Sequence, residues 1–201
     1  MSTVKKVGSE RNPGRPRSME VEARILEVTL RQLAEYGYSR MSLDLVAAEA
    51  GVSKPTMYRR WASKADIATA ALRTIQISEP PVDTGSPKGD LKASLTNFCR
   101  SLLRPNGMAL IGTVLAEEGH TPELLQLFRE RIVKPRRTLL KDILNHARDQ
   151  KLLRPDIDLD CVENMMIGAF YARYLASSQI PSSFPHEVAD LIWRAISREH
   201  K

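Results

Sequence analysis

Ile25, Val28, Thr29, Leu33 and Ala34, flanked by Leu26 and Leu30, recur at the intervals that put side chains on one face of a helix. Gly37 follows as a left-handed stop, so a first helix is expected from about residue 19. Ser42 can cap a second helix, with Asp44 complementing its positive end and Leu43, Val46, Ala47 and Ala50 forming its apolar face until Gly51 ends it. Ser53 can cap a third, with Pro55 in the first turn, where a missing N–H costs nothing, and that helix is expected to run to about Trp61. Ser63 and Asp66 fit the capping-box spacing and open a fourth helix with the stripe Ile67, Ala71, Leu72 and Ile75.

The pattern then breaks. "EPPVDTGSPKG", residues 79–89, has little to bury and is expected to be a linker. Beyond it Leu91, Leu95, Phe98 and Leu102 keep a helical period until "RPNG" interrupts, and a further helix follows. Thr121, Pro122 and Glu123 form a cap, a first-turn proline and a dipole-matched acid; Pro135 should bend or interrupt that helix before it resumes through about Ala147. "LLRPDIDLD" is expected to be a loop, and residues 160–178 and 185–197 are expected to be the last two helices, separated by "PSSFP". With no convincing strand or internal repeat, the predicted class is all-α. The expected organisation is a flexible basic arm over 1–18, a head over 19–78, a linker over 79–89 and a helical unit over 90–201.

Charge adds a direction to this picture. The 201 residues carry a net +6, and residues 1–78 hold 13 Lys and Arg against 8 Asp and Glu, so the excess belongs to the N-terminal third. That asymmetry suits a polyanionic partner at one end of the molecule, or a solvated basic face. Cys99 and Cys161 match no metal or redox spacing and read as two thiols in a reducing compartment. The start of the chain lacks an apolar signal region and the uncharged runs are too short to span a bilayer, so a soluble cytoplasmic protein with no membrane partner is expected.

"AGVSKPTMYRRW", residues 50–61, orders its residue types as a helix-turn-helix needs them. Ala47 and Ala50 let two helices cross closely, Gly51 takes the positive φ of a tight turn, and Val52, Met57 and Trp61 plug and cover the core. Lys54, Thr56, Tyr58, Arg59 and Arg60 are left on the exposed face, where hydroxyls and amines hold phosphates and an arginine can read a guanine edge. Ser53 and Pro55 start that reading helix.

"LDLVAAEAGVSKPTMYRRWASKADI", preceded by "ARILEVTLRQLAEYGY", resembles the N-terminal domain of the tetracycline-repressor (TetR) family of bacterial transcriptional regulators. The match covers most of residues 22–75, and the "YRRW" ending resembles one subgroup where many members have "YRHF". The resemblance implies a homodimer of nine or ten helices per chain. Three N-terminal helices would bind DNA, and a fourth would link them to a larger helical domain with a ligand pocket. It places Lys54, Pro55, Thr56 and Arg60 where members touch bases or adjacent backbone, and Ser42, Tyr58 and Lys64 where members hold phosphates. Arg60 stands in place of the commoner histidine, so base preference there is not inherited.

Other features divide between functional and ordinary roles. Arg15 and Arg17, in "RNPGRPR", suit an arm in an AT-rich minor groove, or a charged tail that only raises local attraction. "DIDLD" lacks the glycine and final acid of a calcium loop and reads as helix-start acids, and His120, His146, His186 and His200 share no metal spacing, so no metal or cofactor is expected. Phe98, Leu102, Met108, Phe128, Met165, Met166 and Phe170, with Tyr171 and Tyr174, could line an apolar effector pocket or belong to ordinary core. "MMIGAFYARY", with Gly168 and Ala169, suits a two-fold interface shared with the last helix. No nucleophile elbow, phosphate loop or dinucleotide fingerprint is present. The expected function is a non-enzymatic repressor that a small-molecule effector releases from a pseudo-palindromic DNA operator. The rival is a small-molecule-binding or catalytic helical protein that does not act on DNA.

Overall fold

The structure, a computed structural model, describes residues 15–77, 82–177 and 179–198. Residues 1–14 of the expected arm, 78–81 around the expected linker, and 178 and 199–201 lie outside the described residues. The named elements are helical throughout: α1 (Arg15–Arg40), α2 (Leu43–Glu49), α3 (Lys54–Tyr58), α4 (Lys64–Ile77), α5 (Pro87–Leu103) and α6 (Gly107–Ala116) come first. Then come α7 (Pro122–Phe128), a π-helical turn (Arg129–Val133), α8 (Lys134–Asp149), α9 (Leu159–Ser177) and α10 (Phe184–Ile196). The extended pairing recorded among the described residues is an isolated antiparallel bridge between Leu153 and Ser197, which ties the end of α10 to the loop ahead of α9.

Two helix starts differ from the sequence expectation, and proline explains both. α1 begins at Arg15, so the last residues expected in a flexible arm are helical. Pro16 falls in the first turn, where its fixed φ suits a helix and its missing N–H is not needed. α5 begins at Pro87, inside the expected linker, because the Ser86 hydroxyl accepts the Gly89 N–H at 3.2 Å and Pro87 occupies the first turn. At the other end of α1, Gly37 leaves helical geometry at φ 75°, ψ 172°, and a short turn resumes through Arg40.

Pro135 produces no break. The chain runs from α7 into α8 through the π-turn, in which the Lys134 N–H bonds to the Arg129 carbonyl. A proline ring collides with the carbonyl four residues back in a regular α-helix, and the wider turn just ahead of it relieves that contact. Thr121 also departs from expectation: its hydroxyl makes no cap bond and instead donates to Glu117 Oε2 at 3.2 Å. Asp158, by contrast, accepts the N–H groups of Asp160 and Cys161 at 2.9 and 3.2 Å, so the acids of "DIDLD" start α9.

Two apolar clusters hold the molecule. One joins α1 to α4 and also takes in Leu110 and Val114 of α6, Leu124, Leu125 and Phe128 of α7, and Ile132 of the π-turn. The other joins α5, α8, α9 and α10 around Leu91, Leu144, Met166 and Phe170. Both cysteines are free thiols, Cys99 buried and Cys161 exposed.

Candidate functional site

The turn between α2 and α3 is built as its residues demand. Ala47 and Ala50 are buried at the crossing, Gly51 adopts φ 64°, and the N–H groups of Gly51 and Val52 return to the carbonyls of Ala48 and Ala47 at 3.1 and 2.9 Å. Ser42 caps α2 by accepting the Leu45 N–H at 3.5 Å. Met57 is 2% exposed and plugs the angle between the helices, while Trp61 is buried beyond it. α3 therefore ends at Tyr58 rather than near Trp61: turning the indole inward takes the chain off the helix, with Arg59 as its last half-helical residue.

Turning Met57 and Trp61 inward leaves Ser53, Lys54, Pro55, Tyr58 and Arg59 exposed and Thr56 and Arg60 half-buried. Ser53 makes no cap bond; its hydroxyl pairs with that of Thr56 at 2.9 Å, and Thr56 also accepts from Arg59 at 3.3 Å. Lys54 Nζ sits between both carboxylate oxygens of Asp44, at 2.8 and 3.0 Å, and Asp44 holds the ammonium above its ordinary pKa. Arg60 pairs with Glu22 of α1 at 2.8 Å. Lys64 lies back from this face: its ammonium is 4.7 Å from the centre of the Tyr38 ring and donates to the Ser39 carbonyl at 3.2 Å. Burial lowers its pKa, with Glu117 partly opposing. The backbone of Arg15 and Arg17 is in the first turn of α1, and their side chains lie outside what the structure describes.

No sequence pattern marks the acids that hold Lys54 and Arg60. Asp44 carries a local signal only as a dipole partner of α2, and Glu22 is separated from Arg60 by 38 positions, too far for any local pattern to join them. The Arg24 guanidinium lies 3.5 Å from where a Gly51 side chain would begin.

Polar contacts tie this head to the helices beyond it. Ser63 caps α4 by accepting the Asp66 N–H at 3.0 Å, and the Asp66 carboxylate returns to the Ala62 N–H at 2.7 Å. Asp66 also pairs with Arg131 of the π-turn. Burial pushes its carboxyl pKa up, but these donors outweigh it and the net shift is downward. Ser39 donates to Glu117, Ser63 donates to Glu123 at 2.9 Å, and Arg104 donates to the Ile75 carbonyl at 3.1 Å.

A cavity of about 110 Å³ lies against the same α4. Leu72 and Ile75 form its α4 wall, Phe98, Ser101 and Leu102 its α5 wall, and Phe128, Ile132 and Val133 the wall from α7 and the π-turn. Gly107, Leu110 and Ile111 of α6, and Arg136, Arg137, Ile167 and Tyr171 from α8 and α9, complete it. Three of the expected pocket residues, Phe98, Leu102 and Phe128, are on this wall. The others do not line it: Met166 and Phe170 are fully buried in solid core, Met108 is half-buried against that core, and Met165 is 55% exposed. Met165 stands about 100° round the helix from Met166, which turns it away from the core that Met166 fills. Phe170 supports the wall from behind, edge-on to Phe98 and Tyr171 at ring separations of 5.4 and 5.7 Å.

The description of bacterial regulatory proteins of the tetR family matches residues 25–71, and that of the tetracyclin repressor-like C-terminal domain matches residues 81–192. The chain belongs to the TetR family. An HTH-type transcriptional regulator of Mycobacterium tuberculosis (strain ATCC 25618 / H37Rv) is 37% identical to this TetR-family chain over 173 residues, covering 85% of the chain and 82% of the relative. A DNA-binding transcriptional repressor named TetR from Mycobacteroides abscessus is 28% identical over 174 residues, 84% of the chain and 89% of the relative. Among solved structures, the transcriptional regulator FadR from Bacillus subtilis, in complex with stearoyl-CoA, has the same fold. Its TM-score is 0.68 at 20% identity, over 84% of this chain and 96% of that one. The N-terminal family segment ends at residue 71, so Leu72 and Ile75, the α4 side of the cavity, follow directly on the matched head. No helix among the described residues is long and apolar enough to cross a membrane.

Proposed function

We propose that this chain is a homodimeric repressor whose two copies of α3 enter successive major grooves of a pseudo-palindromic operator, and that a small molecule in the cavity releases it. The observation that carries the reading is the exposed edge of α3: Tyr58 is 50% exposed, and Lys54, Pro55 and Arg59 share the surface while Met57 is sealed beneath them. In this reading Lys54, Pro55, Thr56 and Arg60 meet bases or the adjacent backbone, and Ser42, Ser53, Tyr58, Arg59 and Lys64 meet phosphates. Arg15 and Arg17, in a basic arm, add minor-groove attraction. The "YRRW" ending at residues 58–61 supports a place in one subgroup of the family, and with Arg60 in the position of the commoner histidine the base preference there is the chain's own to establish.

The organisation follows from the same reading: an arm ahead of the reading head, the head through α4, and an effector and dimer unit from α5 onward, in a cytoplasmic protein that acts by binding rather than catalysis. Dimerisation through α9 and α10 is supported by apolar side chains that the single chain leaves uncovered, among them Met165, Leu175 at 82% exposure and Leu191. Gly168 lies between the first two, with open space where a side chain would stand. Two reading helices must be about 34–36 Å apart to enter successive grooves, so a ligand that prefers a different spacing lowers operator affinity. Leu72 and Ile75 put α4 in contact with that ligand, and Asp66 puts it in contact with Arg131.

Footprinting with the full chain on the DNA upstream of its own reading frame tests this. A protected, two-fold symmetric site that survives excess random duplex is expected, together with a dimeric mass in solution. Protection no stronger than on random duplex would overturn the reading.

A further inference from the structure

Most of the positive surplus of the N-terminal third lies ahead of the reading head. Residues 19–78 hold 8 Lys and Arg against 7 Asp and Glu, so the head itself is close to neutral. Its attraction for a polyanion therefore depends on where each acid stands. Asp44 is one of the seven, and it reaches the edge of α3.

Asp44 is in the first turn of α2, whose start Ser42 caps, and Lys54 opens α3 on the far side of the Gly51 turn. The Lys54 ammonium lies 2.8 and 3.0 Å from the two carboxylate oxygens. Two other cations near this face are held differently: Arg59 donates to the Thr56 hydroxyl and Lys64 to the Ser39 carbonyl, both neutral acceptors. Both side chains of the Lys54 pair are open to water, at 46% and 70% exposure, so the pair is weak and opens readily. Its acid does not vanish when DNA arrives. A phosphate can hold the ammonium only by displacing the carboxylate, which is then left beside the duplex as a like charge. Asp44 thus subtracts from every DNA contact that Lys54 makes. Thr56 and Arg60 are bonded elsewhere, to Ser53 and Glu22, and do not depend on it.

We infer that Asp44 is an electrostatic brake on the reading head: it competes with DNA for the Lys54 ammonium and sets how tightly the head holds any duplex, without choosing the sequence. This rests on the proposed role of α3 in DNA binding.

Fluorescence anisotropy of the full chain on a labelled random-sequence duplex, over a series of salt concentrations, tests it. Asp44→Asn should bind about two- to fivefold tighter per head, the fold equivalent of an exposed ion pair. The plot of log affinity against log salt should steepen by about 0.9 for each lysine released. Asp160→Asn removes the same charge from a matched pair, in which Lys141 of α8 lies 2.7 Å from Asp160 of α9, and should bind as the parent does. In a Lys54→Met background, Asp44→Asn should change nothing further. A head that fails to fold cannot bind more tightly, so the expected gain also reports an intact fold. Asp44→Asn binding no tighter than the parent, a gain shared by Asp160→Asn, or a gain that survives in the Lys54→Met background would each overturn the brake. A parent that binds the duplex, with no gain in Asp44→Asn, defeats the brake alone; a parent without duplex affinity at any salt defeats the regulator reading as well.

Discussion

Replacing Gly51 with alanine isolates the cost of one backbone angle. Gly51 sits at φ 64°, and an added methyl would lie 3.5 Å from the Arg24 guanidinium, an ordinary contact, so sterics with neighbours add nothing. What remains is the left-handed conformation itself, which costs a residue with a Cβ about 1–2 kcal/mol. At about 2–4 °C per kcal/mol for a chain of this length, the melting temperature should fall by roughly 2–8 °C. Asparagine enters this region more easily, so Gly51→Asn should lose less. The same exchange at Gly112, inside α6 with open space around it, removes a helix-interior glycine and should gain about 0.5–1 kcal/mol. Thermal and urea unfolding of the three variants beside the parent reads all of this. A Gly51→Ala protein as stable as its parent, or one no worse than Gly51→Asn, would refute the assignment of the cost to φ.

Other substitutions address the reading face and the core. Arg60→Ala should weaken operator binding by roughly 1–3 kcal/mol in a mobility-shift titration, whereas Lys64→Ala should lower affinity on every sequence and flatten the salt slope by about 1. Met57→Ala opens a void under α3 and should cost about 2–5 kcal/mol in urea unfolding. Asp190 joins α10 to α5 through Lys92 at 2.8 Å and Lys88 at 3.0 Å, and these partners hold its carboxyl pKa down at about 2. A carboxylate depressed in the folded state contributes stability above its unfolded value of about 4 and loses it as pH falls toward the folded one. Stability of Asp190→Asn should therefore fall less steeply than that of the parent between about pH 4 and pH 2, read from denaturation midpoints across that range.

The head was legible because its signals are local. Ser42 and Ser63 cap where their spacing says they should, and Gly37 and Gly51 have the positive φ that their positions ask for. Where a local signal failed, a competing partner had taken it: Ser53 and Thr121 are well placed to cap, but their hydroxyls go to Thr56 and Glu117. Pro135 marked the place of a distortion without its kind, because a kink and a widened turn relieve the same collision. The cavity was the least legible part. A 3.6-residue period tells that Phe170 and Phe128 both face inward, but not that one meets solid core and the other an opening. The pairing of Arg60 with Glu22 was hidden for a different reason: it depends on how α1 lies beside the turn after α3, which is a property of packing.

The first apolar cluster has a practical corollary for engineering. Leu110, Val114, Leu124, Leu125, Phe128 and Ile132 come from well beyond residue 78, yet they share one core with α1 and α4. Excising the N-terminal segment as a cassette would strip that cover and leave a bare oily flank on the fragment. A graft that moves this DNA-reading module into another regulator should carry α6 and α7 along with it, or supply a host surface that replaces them.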